Sequence, residues 1–374
     1  MKIKRIHIIF IIFIIFSFYA CQEQFDPKVN SSKVALVVEG LLTDEAIPYY
    51  VKLSIALQYD KANSNPTVGN AKVSISDDCG DIYELQESDS GVYSTNPAEF
   101  VGKPGNSYSL HVETSDGNVY ESSPQLLLPN DFDVKSYAEY SSQDNLVDDG
   151  LGNFRKVTTT GVDLLADIKN NSDTVPHFRF QPIIYSEYTY TYPISRLLAY
   201  KYFCWDINLH YDLVNITDEK YQTSSKDIQK HIVSFIPDVH DLFIDYIDSV
   251  YKRHSIINAQ VVNRIIKVSR YRINNETYQF YKNVNSILSA QGKIYDPVAL
   301  QLQGNMKCIT DPQKLVLGFF EASSVRSNIY YIEPLENIVH QIQSYNPSPP
   351  TGCIGVIMIV EPPTTPLPPD FWVK

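Results

Sequence analysis

The 374-residue sequence predicts a mainly β protein. Three observations carry that expectation. Tyrosine is abundant, at 27 residues. Short apolar runs alternate with polar positions at period two. Turn residues recur at intervals of about ten positions, the spacing of short antiparallel strands.

The chain opens with Lys2, Lys4 and Arg5, followed by an apolar run over 6–18 that only His7 and Ser17 break. A basic start, a short apolar middle and a small residue before the break define a secretory signal peptide over 1–20. The run is also shorter than the roughly 20 residues that a membrane-spanning helix needs. It stops at Ala20-Cys21, the form of a bacterial lipobox, although Phe18 and Tyr19 stand where Leu and a small residue are commoner. Cys21 is then the lipidation site: its sulfur takes a diacylglycerol, and cleavage frees an N-terminus that is acylated in turn. Several acyl chains hold a protein to a membrane stably without a transmembrane segment. Residues 21–32 form a polar, lipid-anchored tether.

Residues 33–129 read as a β-sandwich domain. "KVALVVEGLL" is a short apolar run, and "YYVKLSIAL" sets Tyr49, Val51, Leu53, Ile55 and Leu57 on one face. Ala71, Val73 and Ile75 share a face ahead of a turn at 77–80. Tyr108, Leu110 and Val112 alternate ahead of Asp116-Gly117, a strong hairpin turn. Strands at this spacing fit a sandwich of immunoglobulin-like or transthyretin-like size, which Pro124 and Pro129 close.

Residues 130–374 read as a larger β-rich domain. "FDVKSYAEYSS" and "FRKVTTTGVDLLADIKN" are strands around an acidic loop, 144–153. "HFRFQPIIYSEYTYTYP", "LLAYKYFCWDI", "NAQVVNRIIKVSRYRI" and "KLVLGFFEASSVRSNIYYI" continue the pattern. The segment 226–256 is ambiguous, with Pro237 interrupting it. One helix is expected near 275–291, capped by Asn274 or Asn275. Thr277, Phe280, Tyr281, Val284, Ile287 and Leu288 recur at helical spacing, and Gly292 supplies the stop. Such a stripe packs a helix onto a sheet. Eight prolines between 347 and 369 describe an extended tail laid along the body.

Chemistry is sparse. The net charge of −12 grows more negative once the basic leader is removed, which argues against nucleic acid and anionic surfaces as partners. No catalytic, metal or cofactor motif occurs: neither a nucleophile elbow, a zinc-binding H-E-x-x-H, a phosphate loop nor a dinucleotide fingerprint. "DNLVDDGLGN" fails as a calcium loop because Val147 occupies a ligand position, so it reads as a solvated acidic loop. His231, His240 and His254 match no common face and read as surface histidines. No carboxylate pair stands out for glycoside hydrolysis. The binding candidates are Tyr188, Tyr190 and Tyr192, which share one strand face. They offer a platform for a sugar, peptide or partner, weighed against ordinary cross-strand packing. Cys79, Cys204, Cys308 and Cys353 remain after Cys21, without a C-x-x-C. In an exported chain they imply disulfides, with three pairings open.

Several stretches taken in order resemble one family. They are "CQEQFDP", "LVVEGLLTDE", "VSISDDCGDIYEL", "SGVY", "PGNSYSLHVETSDGNVYES", "FCWDI", "NNETYQFYKNV", "GKIYDP" with "LQGNM", "LVLGFFEASSV" and a late Cys-then-Trp ending. Together they resemble the Bacteroidetes lipoproteins classed as domain-of-unknown-function family 4249. The resemblance implies a lipid-anchored outer-membrane protein, often encoded beside a TonB-dependent receptor, and brings no catalytic residues. It also implies a disulfide between Cys204 and Cys353, which fall where the family often has cysteine, whereas Cys79 and Cys308 have no such counterpart. The expected function is that of a binding or accessory subunit of a TonB-dependent transporter in nutrient capture or uptake. The alternatives are an exported glycan or peptide hydrolase with an unrecognised site, or a purely structural envelope protein.

Overall fold

The alternating runs fold as strands. The structure, a computed structural model, describes residues 35–56, 66–148, 154–170, 174–193, 198–208, 214–223, 226–237, 241–247, 254–290, 302, 304–332, 339–342 and 352–359. The signal peptide, Cys21, the tether, His240, Gly292 and the end of the tail lie outside the described residues. Among the described residues there are 21 strands, and no helix is long and apolar enough to cross a membrane.

The first unit takes β1 (Ala35–Leu42), β2 (Tyr50–Ala56), β3 (Lys72–Asp77), β4 (Ile82–Asp89), β5 (Val92–Ser94), β6 (Ser107–Glu113), β7 (Val119–Ser122) and β8 (Gln125–Leu126). Period-two alternation puts Tyr49, Val51, Leu53, Val73, Ile75, Tyr108, Leu110 and Val112 inside, all buried. The turn after β3 forms because the Asp77 carboxylate accepts the N–H groups of Cys79 and Asp81, while Gly80 takes φ +94°.

Two late strands complete this unit, β17 (Met306–Cys308) and β18 (Val316–Ala322). β17 pairs with β7. β18 runs parallel to β1, from Leu36 opposite Val316 to Leu42 opposite Ala322. The ten strands form one continuous order, β17-β7-β6-β3-β4-β5-β2-β1-β18, with β8 on β6. Its two halves meet at β4 and enclose a common core. At the two ends of this order, the Asn305 carboxamide donates to the Phe320 carbonyl at 2.8 Å and accepts its N–H at 2.9 Å. The expected division at 129/130 therefore needs correcting: residues 306–322 belong structurally with the first unit. Pairing across so long a stretch of chain leaves no local trace in sequence.

The second unit sets a three-stranded sheet against an eight-stranded one. The smaller sheet has the order β14 (Ile228–Pro237), β10 (Phe154–Ile168), β9 (Val134–Asp148). The larger runs β20 (Val339–Ile342), β19 (Ser324–Ile332), β16 (His254–Ile273), β11 (His177–Pro193), β12 (Leu198–Asn208), β21 (Gly352–Ile359). Within it β13 (Asn215–Ile216) joins β11 and β15 (Asp241–Ile247) joins β16. Leu164, Ile168, Phe178, Phe180, Ile228 and Ile266 form the core between the two sheets. The described parts of the ambiguous segment 226–256 include β14, β15 and the start of β16. The loop expected over 144–153 is strand over its first five residues. Residues 144–148 continue the β9 ladder, and Asp144 binds Lys156 at 2.8 Å and Thr158 at 2.7 Å across the strands.

The helix α1 (Asn275–Ala290) follows β16 directly. Asn274 caps it, accepting the Thr277 N–H at 2.8 Å. It does more than lay one stripe on one sheet. Phe280 stacks on Phe319 of β18 at 4.4 Å, and Tyr278 stacks on His177 of β11 at 3.9 Å. Glu276 accepts from Gln125 of β8 at 2.7 Å. Asn285 exchanges two hydrogen bonds with the backbone of Val214, at 2.8 and 2.7 Å. The helix bolts the two units together, and only Ser323 separates β18 from β19.

Candidate functional site

The site begins with two charges placed in apolar strands. In "HFRFQPII" the only long cation is Arg179, on β11, and in "LVLGFFEASS" the only carboxylate is Glu321, on β18. A charge in such a run is tolerated when it finds a partner. Here the partners find each other across the unit boundary. Arg179 Nη2 donates to Glu321 Oε1 at 2.9 Å, with side chains 11% and 3% exposed. Tyr281 of α1 donates its hydroxyl to Glu321 Oε2 at 2.6 Å. The guanidinium lies over the Tyr271 ring of β16 at 4.0 Å, a cation–π contact, and the Tyr271 hydroxyl donates to Gln181 Oε1 at 3.2 Å. Burial alone would favour loss of the Arg179 proton, but Glu321 holds its pKa above the ordinary value. Burial, then the Glu321 carboxylate, raises the Tyr281 hydroxyl. Arg179 stays a cation and Tyr281 a neutral donor.

This cluster is the wall between two cavities. One, of about 720 Å³, opens between the three-stranded sheet, β11 and α1. The other, of about 890 Å³, lies against β1, β2, β18 and α1. Arg179, Gln181 and Tyr281 line both. The first cavity is otherwise lined by uncharged groups: the carboxamides of Gln143, Asn145 and Asn215, the hydroxyls of Thr159 and Ser234, and the rings of Phe180 and Phe235 among them.

His231 sits behind this cavity and corrects the surface-histidine expectation: it is 3% exposed. Its ring stacks on Phe180 at 4.8 Å, and Nε2 lies 2.7 Å from Asn215 Oδ1. The Asn215 amide nitrogen already donates to the carbonyls of Ile232 and Val233, so Oδ1 is the acceptor and His231 the donor. Burial pushes its pKa down to about 4. The ring is neutral and structural. His254 opens β16, with its side chain outside the described residues.

Tyr188, Tyr190 and Tyr192 alternate along β11, opposite Cys204, Tyr202 and Tyr200 of β12. Their side chains lie outside the described residues. They start six residues beyond Pro182, roughly 20 Å along the strand, so the backbone does not bring them to the cavity. Cys204 faces Cys353 in the β12–β21 register. Cys79 and Cys308 are free thiols, exposed and buried respectively. Among the described residues no three His, Cys, Asp or Glu side chains gather as a metal site.

The cavity residues escaped the sequence reading because they come from β9, β10, β11, β13, β14 and α1. The lone charges of Arg179 and Glu321 in apolar strands were the available signal. No curated protein and no solved structure matches the chain. The model of one family, "Domain of unknown function (DUF4249)", matches residues 22–329. The chain thus belongs to the DUF4249 family, whose description names no activity.

Proposed function

We propose that the protein is an outer-membrane lipoprotein, held through acylated Cys21, that works by binding as the accessory subunit of a TonB-dependent β-barrel transporter in nutrient capture. The cavity of about 720 Å³ carries the binding part of this reading. Its described lining combines aromatic rings with amides and hydroxyls and includes no carboxylate to act as acid, base or nucleophile. Two carboxylates, Glu39 and Glu321, line the second cleft, but Glu321 is committed to Arg179 and Tyr281. That favours binding over hydrolysis.

The basic leader, the short apolar run and Ala20-Cys21 support the anchor. Confinement to a membrane plane raises effective concentration near a barrel, so a modest interface is occupied. The charge of −12 keeps the body off anionic lipid and leaves attachment to the acyl chains. Cys21→Ala is expected to leave an unprocessed precursor without palmitate label. Purification of the wild type in mild detergent is expected to recover a barrel protein in near-equal amount. Palmitate incorporation by the variant overturns the anchor. Hydrolysis of a glycan or peptide by the purified chain, with no barrel recovered, overturns the accessory role.

A further inference from the structure

We infer that the cavity of about 720 Å³ takes a neutral oligosaccharide seated on the β9–β10 hairpin, an inference that rests on the binding reading above and deepens it. Charge decides the ligand class first. Arg179 is the only charged side chain in the described lining, and Glu321 already neutralises it at 2.9 Å. A phosphate, a uronate or a free peptide terminus entering the cavity would lose hydration and meet no unpaired opposite charge there. A neutral ligand escapes that cost.

Hydrogen-bonding capacity decides next. Gln143 and Thr159 stand directly opposite in the β9–β10 ladder, and Asn145 follows two residues on, so the three share one face of the hairpin. The side chains of these three, and of Ser234 on the adjoining strand β14, make no hydrogen bond within the described residues. Carboxamides and hydroxyls each both donate and accept, which matches the adjacent hydroxyls of a sugar. Asn215 and Tyr281, in contrast, are fixed by His231 and Glu321 and serve as walls.

The flat part of the lining completes the match. A Cβ on Gly161 would come within 2.7 Å of the Phe235 ring and 2.3 Å of the Ile236 carbonyl. The glycine thus lets the half-buried Phe235 lie close against the hairpin backbone, beside Thr159. A ring next to unspent amides and hydroxyls suits a pyranose, which has an apolar C–H face and a polar rim. The volume falls within the ~300–1,000 Å³ of small-ligand sites, room for a short oligomer. The chemistry names a neutral glycan fragment.

The test uses the full mature chain on an array of neutral and uronate-bearing glycans, with neutral end-capped peptides alongside. The best-bound glycan is then titrated calorimetrically into wild type, Thr159→Val and Gln143→Ala. Binding of neutral glycans only is expected, weakened about fivefold or more in each variant at unchanged Tm, the size of one net hydrogen bond. Preference for uronates, or wild-type affinity in both variants, overturns the assignment. Peptide binding that the variants weaken overturns the sugar class and leaves the binding reading intact. Silence on every probe, with a barrel still co-purifying, likewise overturns this inference alone. Glycan hydrolysis without a barrel partner overturns the underlying reading.

Discussion

His231 is held in a way that leaves no place for a second proton. Phe180 covers one face, Tyr221 meets the ring edge-on at 5.1 Å, and Nδ1 is buried without a partner. Burial lowers its pKa to about 4, with Asp218 opposing and Lys220 assisting. His177, stacked on Tyr278, is lowered to about 4 by burial and then by Arg272. In the unfolded chain both titrate near ~6.5. The unfolded state therefore takes up protons first as pH falls. The stability tied to neutral imidazole is fully present above ~6.5 and is lost as pH falls through about 4. For His231 it is on the order of 3 kcal/mol. The urea midpoint should fall across that window, and His231→Gln should flatten the fall, since carboxylates titrate alike in both proteins. Equal steepness in parent and variant would remove His231 from the account.

At the scale of elements, β12 and β21 are joined in a register that sets Cys204 opposite Cys353. Directly opposed residues of antiparallel strands have Cα atoms roughly 4.5–5.5 Å apart, inside the range a disulfide spans. We expect the bond to form in the oxidised protein. It would close a loop of about 150 residues and stabilise by several kcal/mol in the chain-entropy model. Non-reducing peptide mapping checks this: a Cys204–Cys353 peptide pair is the expected result, and free thiols at both positions refute it. The β1–β7 strands and α1 were legible because their signals are local: period two, turn residues, a cap and a 3.6-residue stripe. The face of His231 was not. Lys230 takes φ +54° and the β10–β14 register shifts beside it, so alternation along β14 breaks at that point. The site was legible only as unexplained charges, because Arg179 and Glu321 are brought together by tertiary structure.

At the scale of the molecule, the Arg179–Glu321 pair joins the eight-stranded sheet to the ten-stranded one, and Tyr281 adds the helix. Asn130, in the link between the units, donates to the carbonyls of Arg270 and Ser324. Asp44 of the first unit accepts from Val325 and Arg326 of β19. With shared partners on both sides, the units should unfold in one transition. Glu321→Ala strands a buried guanidinium and is expected to cost about 3–5 kcal/mol, whereas replacing both partners, as Arg179→Met with Glu321→Leu, should cost less. Urea unfolding followed by fluorescence and circular dichroism checks both points. Non-coincident transitions in the wild type, or a double variant weaker than Glu321→Ala, would count against this coupling.

The parallel pairing of β1 with β18 also dictates an order of events. Gly318, at φ +93°, lies so close to β1 that an added Cβ would come within 1.9 Å of the Val38 carbonyl. This seam therefore closes on one narrow fit. During synthesis the N-terminal strands emerge first, yet β1, already beside β2, lacks its second neighbour until residues 316–322 follow. Until then β1 presents an unpaired edge of the kind that invites foreign strands. Contacts this distant along the chain also form slowly. Synthesis thus exposes nearly the whole chain before its first sheet can close, and a chaperone would have its task there.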